Sequence, residues 1–126
     1  MNNFEALYKK AFEISPTRKL SEYASCGGVG AALLATNGTI YTGVCIDAQC
    51  SLGFCAEHSA AAEMLKHGES RVVEIVAVLW DGKVLPPCGR CRELLSQINP
   101  ENKKTIIHFA KDRSKTLAEL LPESYS

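Results

Sequence analysis

Net charge is what this sequence most plainly lacks: 14 basic residues balance 14 acidic ones over 126 positions. A protein that grips many phosphates needs an excess of lysine and arginine, so no nucleic-acid partner is expected. Long apolar runs are missing as well. No stretch approaches the roughly 20 residues that span a bilayer, and Met1 to Lys10 carries acids and lysines where a signal peptide is apolar. No membrane partner is expected, and the expected compartment is the cytoplasm. Repeats, linkers and low-complexity segments are also missing, and 46% hydrophobic with 22% charged residues is the balance of an ordinary globular protein. The chain therefore reads as one domain over residues 1–126, long enough to bury roughly two-thirds of its unfolded surface.

Periodicity supplies the elements. Phe4, Leu7, Tyr8, Ala11 and Phe12 form the stripe of an amphipathic helix that stops before Pro16. Three glycines between Cys26 and Gly30 predict a loop. Apolar runs from Val29 to Ala35 and from Ile40 to Ile46 flank Asn37-Gly38, a pair that accepts the positive φ angles of a tight turn, so these runs are predicted to pair as antiparallel strands. Cys55 to His67 reads as a helix closed by Gly68. The almost continuous apolar run Val72 to Trp80 suits a central strand buried on both faces. Pro86-Pro87 precedes a helix from Cys88 to Ile98, Thr105 to Ala110 reads as a strand parallel to Val72–Trp80, and Leu117, Leu120 and Leu121 mark a short last helix. The predicted fold class is α/β: a three-layer α/β/α sandwich around a mixed sheet of four to five strands.

Six cysteines stand at 26, 45, 50, 55, 88 and 91. Reduced thiols in a cytoplasmic protein point to metal binding more than to disulfides. Cys88 and Cys91, three apart at a helix start, direct both sulfurs to one point, while Cys55 begins a second helix. Three thiolates suit Zn2+ and leave its fourth position open, which is the arrangement of a catalytic site. They also outweigh the ion by one negative charge, and Arg90 and Arg92 are the candidate donors of hydrogen bonds to the sulfurs, against a reading in which each is a solvated side chain. Glu57 either faces metal-bound water as a general acid and base or is simply a first-turn glutamate favoured by the helix dipole. Two other readings of the thiols stay open: a structural zinc module closed by Cys50 or His58, and a redox pair of Cys88 and Cys91.

Cys55-Ala56-Glu57 followed by Pro87-Cys88-Gly89-Arg90-Cys91-Arg92-Glu93 resembles the zinc signature of the cytidine deaminase superfamily, in the variant with Cys as first ligand. Val29 to Leu34, Ile40 to Gly43 and Glu119-Leu120-Leu121-Pro122 are similar to the same family's first two strands and C-terminal helix. The resemblance implies that Cys55, Cys88 and Cys91 hold zinc, that Glu57 shuttles the proton, and that zinc hydroxide attacks C4 of a cytosine ring with release of ammonia. It also implies substrate contacts at Ala56 and Pro87, a small-molecule nucleoside substrate, and a homo-oligomer, expected to be a tetramer, in which Tyr125 closes a neighbouring copy's pocket.

The sugar side departs from the family pattern. Gly27-Gly28 stands where the free-nucleoside enzymes carry Phe-Pro, Cys45 and Asp47 align with the Asn and Glu that hold ribose hydroxyls, and His58 replaces an arginine. A thiol lacks an amide's two-way hydrogen bonding. The stretches Pro87 to Arg92 and Leu120 to Tyr125 resemble the blasticidin S deaminase branch, which acts on an aminoacylated cytosine nucleoside. The expected substrate is thus a cytosine-containing nucleoside or an analogue altered at its sugar.

Overall fold

The computed structural model describes residues 3–126. In chain order the elements are α1 (Phe4–Glu13), β1 (Arg18–Lys19), β2 (Ala24–Ala35), β3 (Ile40–Ala48), α2 (Ala56–Lys66), β4 (Val72–Leu79), β5 (Val84–Leu85), α3 (Gly89–Ile98), β6 (Ile106–Ala110), β7 (Arg113–Thr116) and α4 (Leu117–Leu120). Short 3-10 turns cover Gln49–Ser51 and Pro100–Lys104. The strands form one mixed sheet of seven, two or three more than expected, because β1, β5 and β7 are short edge pieces with no apolar run to announce them.

Strand alternation divides the core between the two faces. Ala31, Leu33, Ile75 and Ala77 point to α2, α3 and α4 in one apolar cluster, while Ala32, Val76 and Val78 point to Phe4, Leu7 and Ala11 of α1 in another. The result is the expected three-layer α/β/α sandwich. β4 lies at the middle of the order β1-β2-β4-β6-β7, antiparallel to β2 and parallel to β6. Its buried Glu74 accepts hydrogen bonds from the Asn3 backbone N–H (3.0 Å) and side-chain amide (2.6 Å) and lies 2.7 Å from Nε2 of buried His108 on β6, which ties the start of α1 to the sheet.

Three local features aim the cysteines. The predicted loop at Cys26 to Gly30 is instead part of β2, bulged where Gly27 and Gly28 take φ of 88° and 90°. Glycine makes that bulge possible and lets the strand run on. Second, β3 leaves the sheet through a loop closed by paired backbone bonds between Ile46 and Phe54, both 3.0 Å, which delivers Cys55 to the start of α2. Gly43 lets α2 lie close on β3, since a Cβ there would sit 2.3 Å from the Ala60 nitrogen. Third, β4 gives one edge to both β6, at Glu74 and Ile75, and β5, at Ala77 and Val78. β5 then runs directly into Pro86-Pro87-Cys88 and brings that thiol back beside β4.

Candidate metal centre and active site

Cys55 and Cys88 are the N-cap residues of α2 and α3, both with extended backbone, and Cys91 lies in the first turn of α3. The Sγ atoms of Cys55 and Cys88 are 3.5 Å apart, as are those of Cys88 and Cys91. Ligands about 2.3 Å from zinc at the corners of a tetrahedron are about 3.8 Å from one another, so this donor set fits Zn2+. Without an ion the thiols differ. Burial and the nearby Glu57 charge push Cys91 far above the ordinary thiol range, and burial also raises Cys55. Burial acts the same way on Cys88, but backbone N–H groups of Cys91 and Arg90 and the two neighbouring thiols outweigh it and hold its pKa below the usual value. A cation that replaces the protons at all three sulfurs relieves this conflict.

Glu57 is 6% exposed, and its carboxyl is within hydrogen-bonding reach of its own backbone N–H and the Cys91 thiol. Burial pushes its pKa up against those bonds. Glu57, Cys55, Cys88 and Ala56 line a cavity of about 170 Å3 whose other walls are Val29, Cys45, Ala77, Leu85 and Pro86. Those walls are almost wholly apolar, so they suit a flat ring and leave polar work to Glu57 and the sulfurs.

The structure places the remaining expected residues unevenly. Ala56 is in the cavity wall, but Pro87 is buried behind Glu57 against Ile107 and His108, and its neighbour Pro86 takes the wall position. Cys45 lines the cavity with its thiol donating to the Gly27 carbonyl at 2.7 Å, while burial holds its pKa high. Asp47 is exposed and stands outside the cavity in an adjoining groove. Tyr125 is 91% exposed and is not among the residues that line the thiol cavity. Arg92 gives its Nε to the Pro87 carbonyl (2.8 Å) and an Nη to the Leu120 carbonyl (2.9 Å), so it braces the backbone before Cys88 instead of bonding a sulfur. Arg90 is exposed and makes no bond to a thiol among the described residues. The donor role expected of one of these arginines falls to neither.

His58 is the side chain that comes near a sulfur instead. Its Nδ1 is 3.4 Å from Cys91 Sγ, and Cys55, His58 and Cys91 offer ligand atoms within 4.8 Å of one another. Its position three residues after Cys55 on α2 was the available signal, since i and i+3 share a helix face. Burial and the Arg90 charge keep the His58 pKa below its ordinary value. Cys50 is exposed and outside this cluster, which removes it as a spare ligand.

The comparisons with known proteins agree with this geometry. Residues 1–108 match the family described as the cytidine and deoxycytidylate deaminase zinc-binding region. The chain is 33% identical over 101 residues to a cytidine deaminase of Halalkalibacterium halodurans, covering 78% of this chain and 76% of that protein. It is also 33% identical over 107 residues to a blasticidin-S deaminase of Bacillus cereus, again covering 78% of this chain and 76% of that protein. The crystal structure of cytidine deaminase from Mycobacterium tuberculosis superposes with a TM-score of 0.83 at 27% identity, covering 100% of this chain and 99% of that one. With two helix starts bringing three thiols together beside a buried glutamate that lines one apolar cavity, and with these likenesses in sequence and fold, the chain belongs to the family of zinc-dependent cytidine and deoxycytidylate deaminases.

Proposed function

We propose that the chain hydrolyses the exocyclic amine of a cytosine ring, carried by a nucleoside or a close analogue, to a carbonyl with release of ammonia. The observation that carries this reading is a cluster of three sulfurs, two of which line, together with one buried carboxyl, a cavity with otherwise apolar walls. Cys55, Cys88 and Cys91 would hold Zn2+, which when bound supplies a Lewis acid that makes water nucleophilic at neutral pH. Val29, Ala77, Leu85 and Pro86 exclude bulk water and fix the ring plane. Glu57, its pKa raised by burial, takes one proton from the attacking water and gives it to ring N3, then takes the remaining hydroxyl proton and passes it to the departing amine. The sum is water plus amine going to carbonyl plus ammonia.

His58 offsets the extra negative charge of three thiolates by directing a ring N–H at Cys91. A second reading, in which His58 replaces Cys88 as a ligand, is favoured by the close Cys55, His58 and Cys91 group, but Cys88 lies within 3.5 Å of both other sulfurs.

The chain is further proposed to act as a single domain and as a cytoplasmic homotetramer. Exposed Tyr23, Leu52, Phe54 and Trp80 would supply apolar surface for contact between copies, and exposed Tyr125, on a tail whose backbone N–H donates to Glu93, would close a neighbouring copy's cavity. No helix among the described residues is long and apolar enough to cross a membrane. Ammonia release from cytidine, deoxycytidine and blasticidin S by zinc-loaded protein tests the activity. Turnover of at least one, lost on chelation and in Glu57→Gln at equal zinc content, is the expected result; activity that survives in Glu57→Gln contradicts it.

A further inference from the structure

Of the three sulfurs, the middle one is the least supported by packing. Cys88 lies 3.5 Å from both Cys55 and Cys91 and so joins the two helix starts, yet it is exposed where Cys91 is buried. No side chain caps the start of α3, and a Cβ on the next residue, Gly89, would meet nothing within 4 Å. A metal ligand must be held to about 0.2 Å, so something other than packing fixes Cys88.

Arg92 does this from both sides. Its backbone N–H donates to the Cys88 carbonyl at 3.0 Å, and its Nε reaches back to the Pro87 carbonyl at 2.8 Å. One residue thus holds the peptide units before and after Cys88, and with them the φ and ψ of −70° and 170° that aim the thiol. The same guanidinium gives an Nη to the carbonyl of Leu120, the last residue of α4, at 2.9 Å. That helix is a firm anchor: Leu117 is buried in the apolar cluster that holds Leu95, its N–H donates to the Thr105 carbonyl at 2.9 Å, and Thr116 and Glu119 cap each other at its start.

Residues 121–126 continue along α3 and are pinned to it. The Tyr125 N–H donates to Glu93 at 3.2 Å, the Ser126 hydroxyl lies 3.0 Å from that of Ser96, and the Lys103 Nζ donates to the Ser124 hydroxyl and the Ser126 carbonyl, both at 2.9 Å. Arg92, Glu93 and Ser96 lie on one side of the helix that carries Cys88 and Cys91.

We infer that Arg92 is a positioning residue of the zinc site, holding Cys88 against α4, and that docking of the C-terminal segment on α3 and zinc binding are coupled through it. The inference rests on the three-sulfur zinc reading and names what holds its middle ligand. Such coupling is reciprocal: loosening the brace weakens zinc binding, and removing zinc loosens the segment.

Three variants test it. Arg92→Met keeps the stem and removes every side-chain donor, Arg92→Lys keeps the charge and one donor group, and Lys103→Met leaves Arg92 in place while freeing residues 124–126. In competition with a chromophoric chelator, Arg92→Met should weaken zinc binding by about 10- to 100-fold, Arg92→Lys should recover part of it, and Lys103→Met should weaken it by about threefold to tenfold. Cobalt-loaded protein gives a reading that a weakened fold alone does not move. Its sulfur-to-cobalt charge-transfer band counts thiolates, and it should weaken in Arg92→Met and return in part in Arg92→Lys, with urea denaturation of the metal-free proteins reporting the fold separately. In the wild type, chelating the metal should raise amide hydrogen exchange across residues 121–126. Unchanged exchange on chelation overturns the inference even where Arg92→Met does not fold. So does a change in zinc affinity below twofold in Arg92→Met, or an affinity loss with an unchanged cobalt band. Zinc and exchange effects as expected, with no ammonia release from any cytosine nucleoside, would support the brace and overturn the deaminase reading.

Discussion

The two halves of the site are built on different physical plans. At the inner half, each group is placed by a regular element: Cys55 and Cys88 cap helices, Cys91 and Glu57 follow within a turn, and β4 supplies the floor. At the outer half, the walls come from a strand end, a 3-10 turn with left-handed residues and one exposed arginine. Buried helix starts fix atoms within tenths of an ångström and change only at high cost, whereas an exposed loop accepts substitution. On the proposed reading, the inner half holds the chemistry constant and the exposed outer half is where substitution can alter which substrate is accepted.

The largest expected effect that separates the halves comes from Glu57→Gln. An isosteric amide cannot take a proton, and kcat should fall by about 10³-fold or more with zinc content unchanged. Equal loss of zinc in that variant would mean that Glu57 supports the metal and not the proton. Next comes His58→Ala, which removes the contact to Cys91 and should weaken zinc binding by about 10- to 100-fold in competition with a chromophoric chelator, while His58→Asn, whose amide can donate an N–H to the sulfur, recovers part of it. Loss of all tight zinc binding in both variants would favour the reading with His58 as a ligand.

The floor strand provides a test through acid stability. Glu74 is buried against His108 and Asn3, and although burial opposes it, their hydrogen bonds hold its pKa below the ordinary carboxylate value. A group whose folded pKa is depressed contributes stability above its unfolded pKa and loses it as pH falls through the folded one. Wild-type stability should therefore drop on acidification below the ordinary carboxylate range. Glu74→Gln should cost about 2 kcal/mol at neutral pH and flatten that acid limb, as read by urea denaturation across pH. An unchanged limb would remove Glu74 as its source. The smallest effect is expected from Asp47→Asn at the outer half: a rise in KM for cytidine of about threefold to tenfold, larger than any change in kcat. A fall in kcat as great as that of Glu57→Gln would erase the distinction between the halves.

Legibility in the sequence follows the same division. Helix periodicity, the Asn37-Gly38 turn and the cysteine spacing gave away every long element and brought Cys55, Cys88 and Cys91 together, because helix starts convert spacing along the chain into direction in space. The short strands β1, β5 and β7 were not legible, since two to four residues carry no period and pair only because a neighbouring edge is free. The strand through Gly27-Gly28 reads as a loop in the sequence because glycine signals a bend without saying whether pairing resumes after it. Arg92 is a candidate partner for a sulfur in the sequence because it sits beside one, with a solvated side chain as the other reading, whereas its helix face directs it to the Pro87 and Leu120 carbonyls. His58 sat in plain view within the same turn as Glu57, but which side chain reaches a sulfur depends on the angle between α2 and α3, which no local pattern encodes.

The central claim is an open metal site made by Cys55, Cys88 and Cys91 beside Glu57. Zinc K-edge X-ray absorption of the zinc-loaded wild type reads the donor set directly. Three sulfurs at about 2.3 Å and one light atom at about 2.0 Å, with no imidazole scattering, is the predicted spectrum. Two sulfurs with an imidazole from His58, or four protein donors that leave no open position, would contradict it.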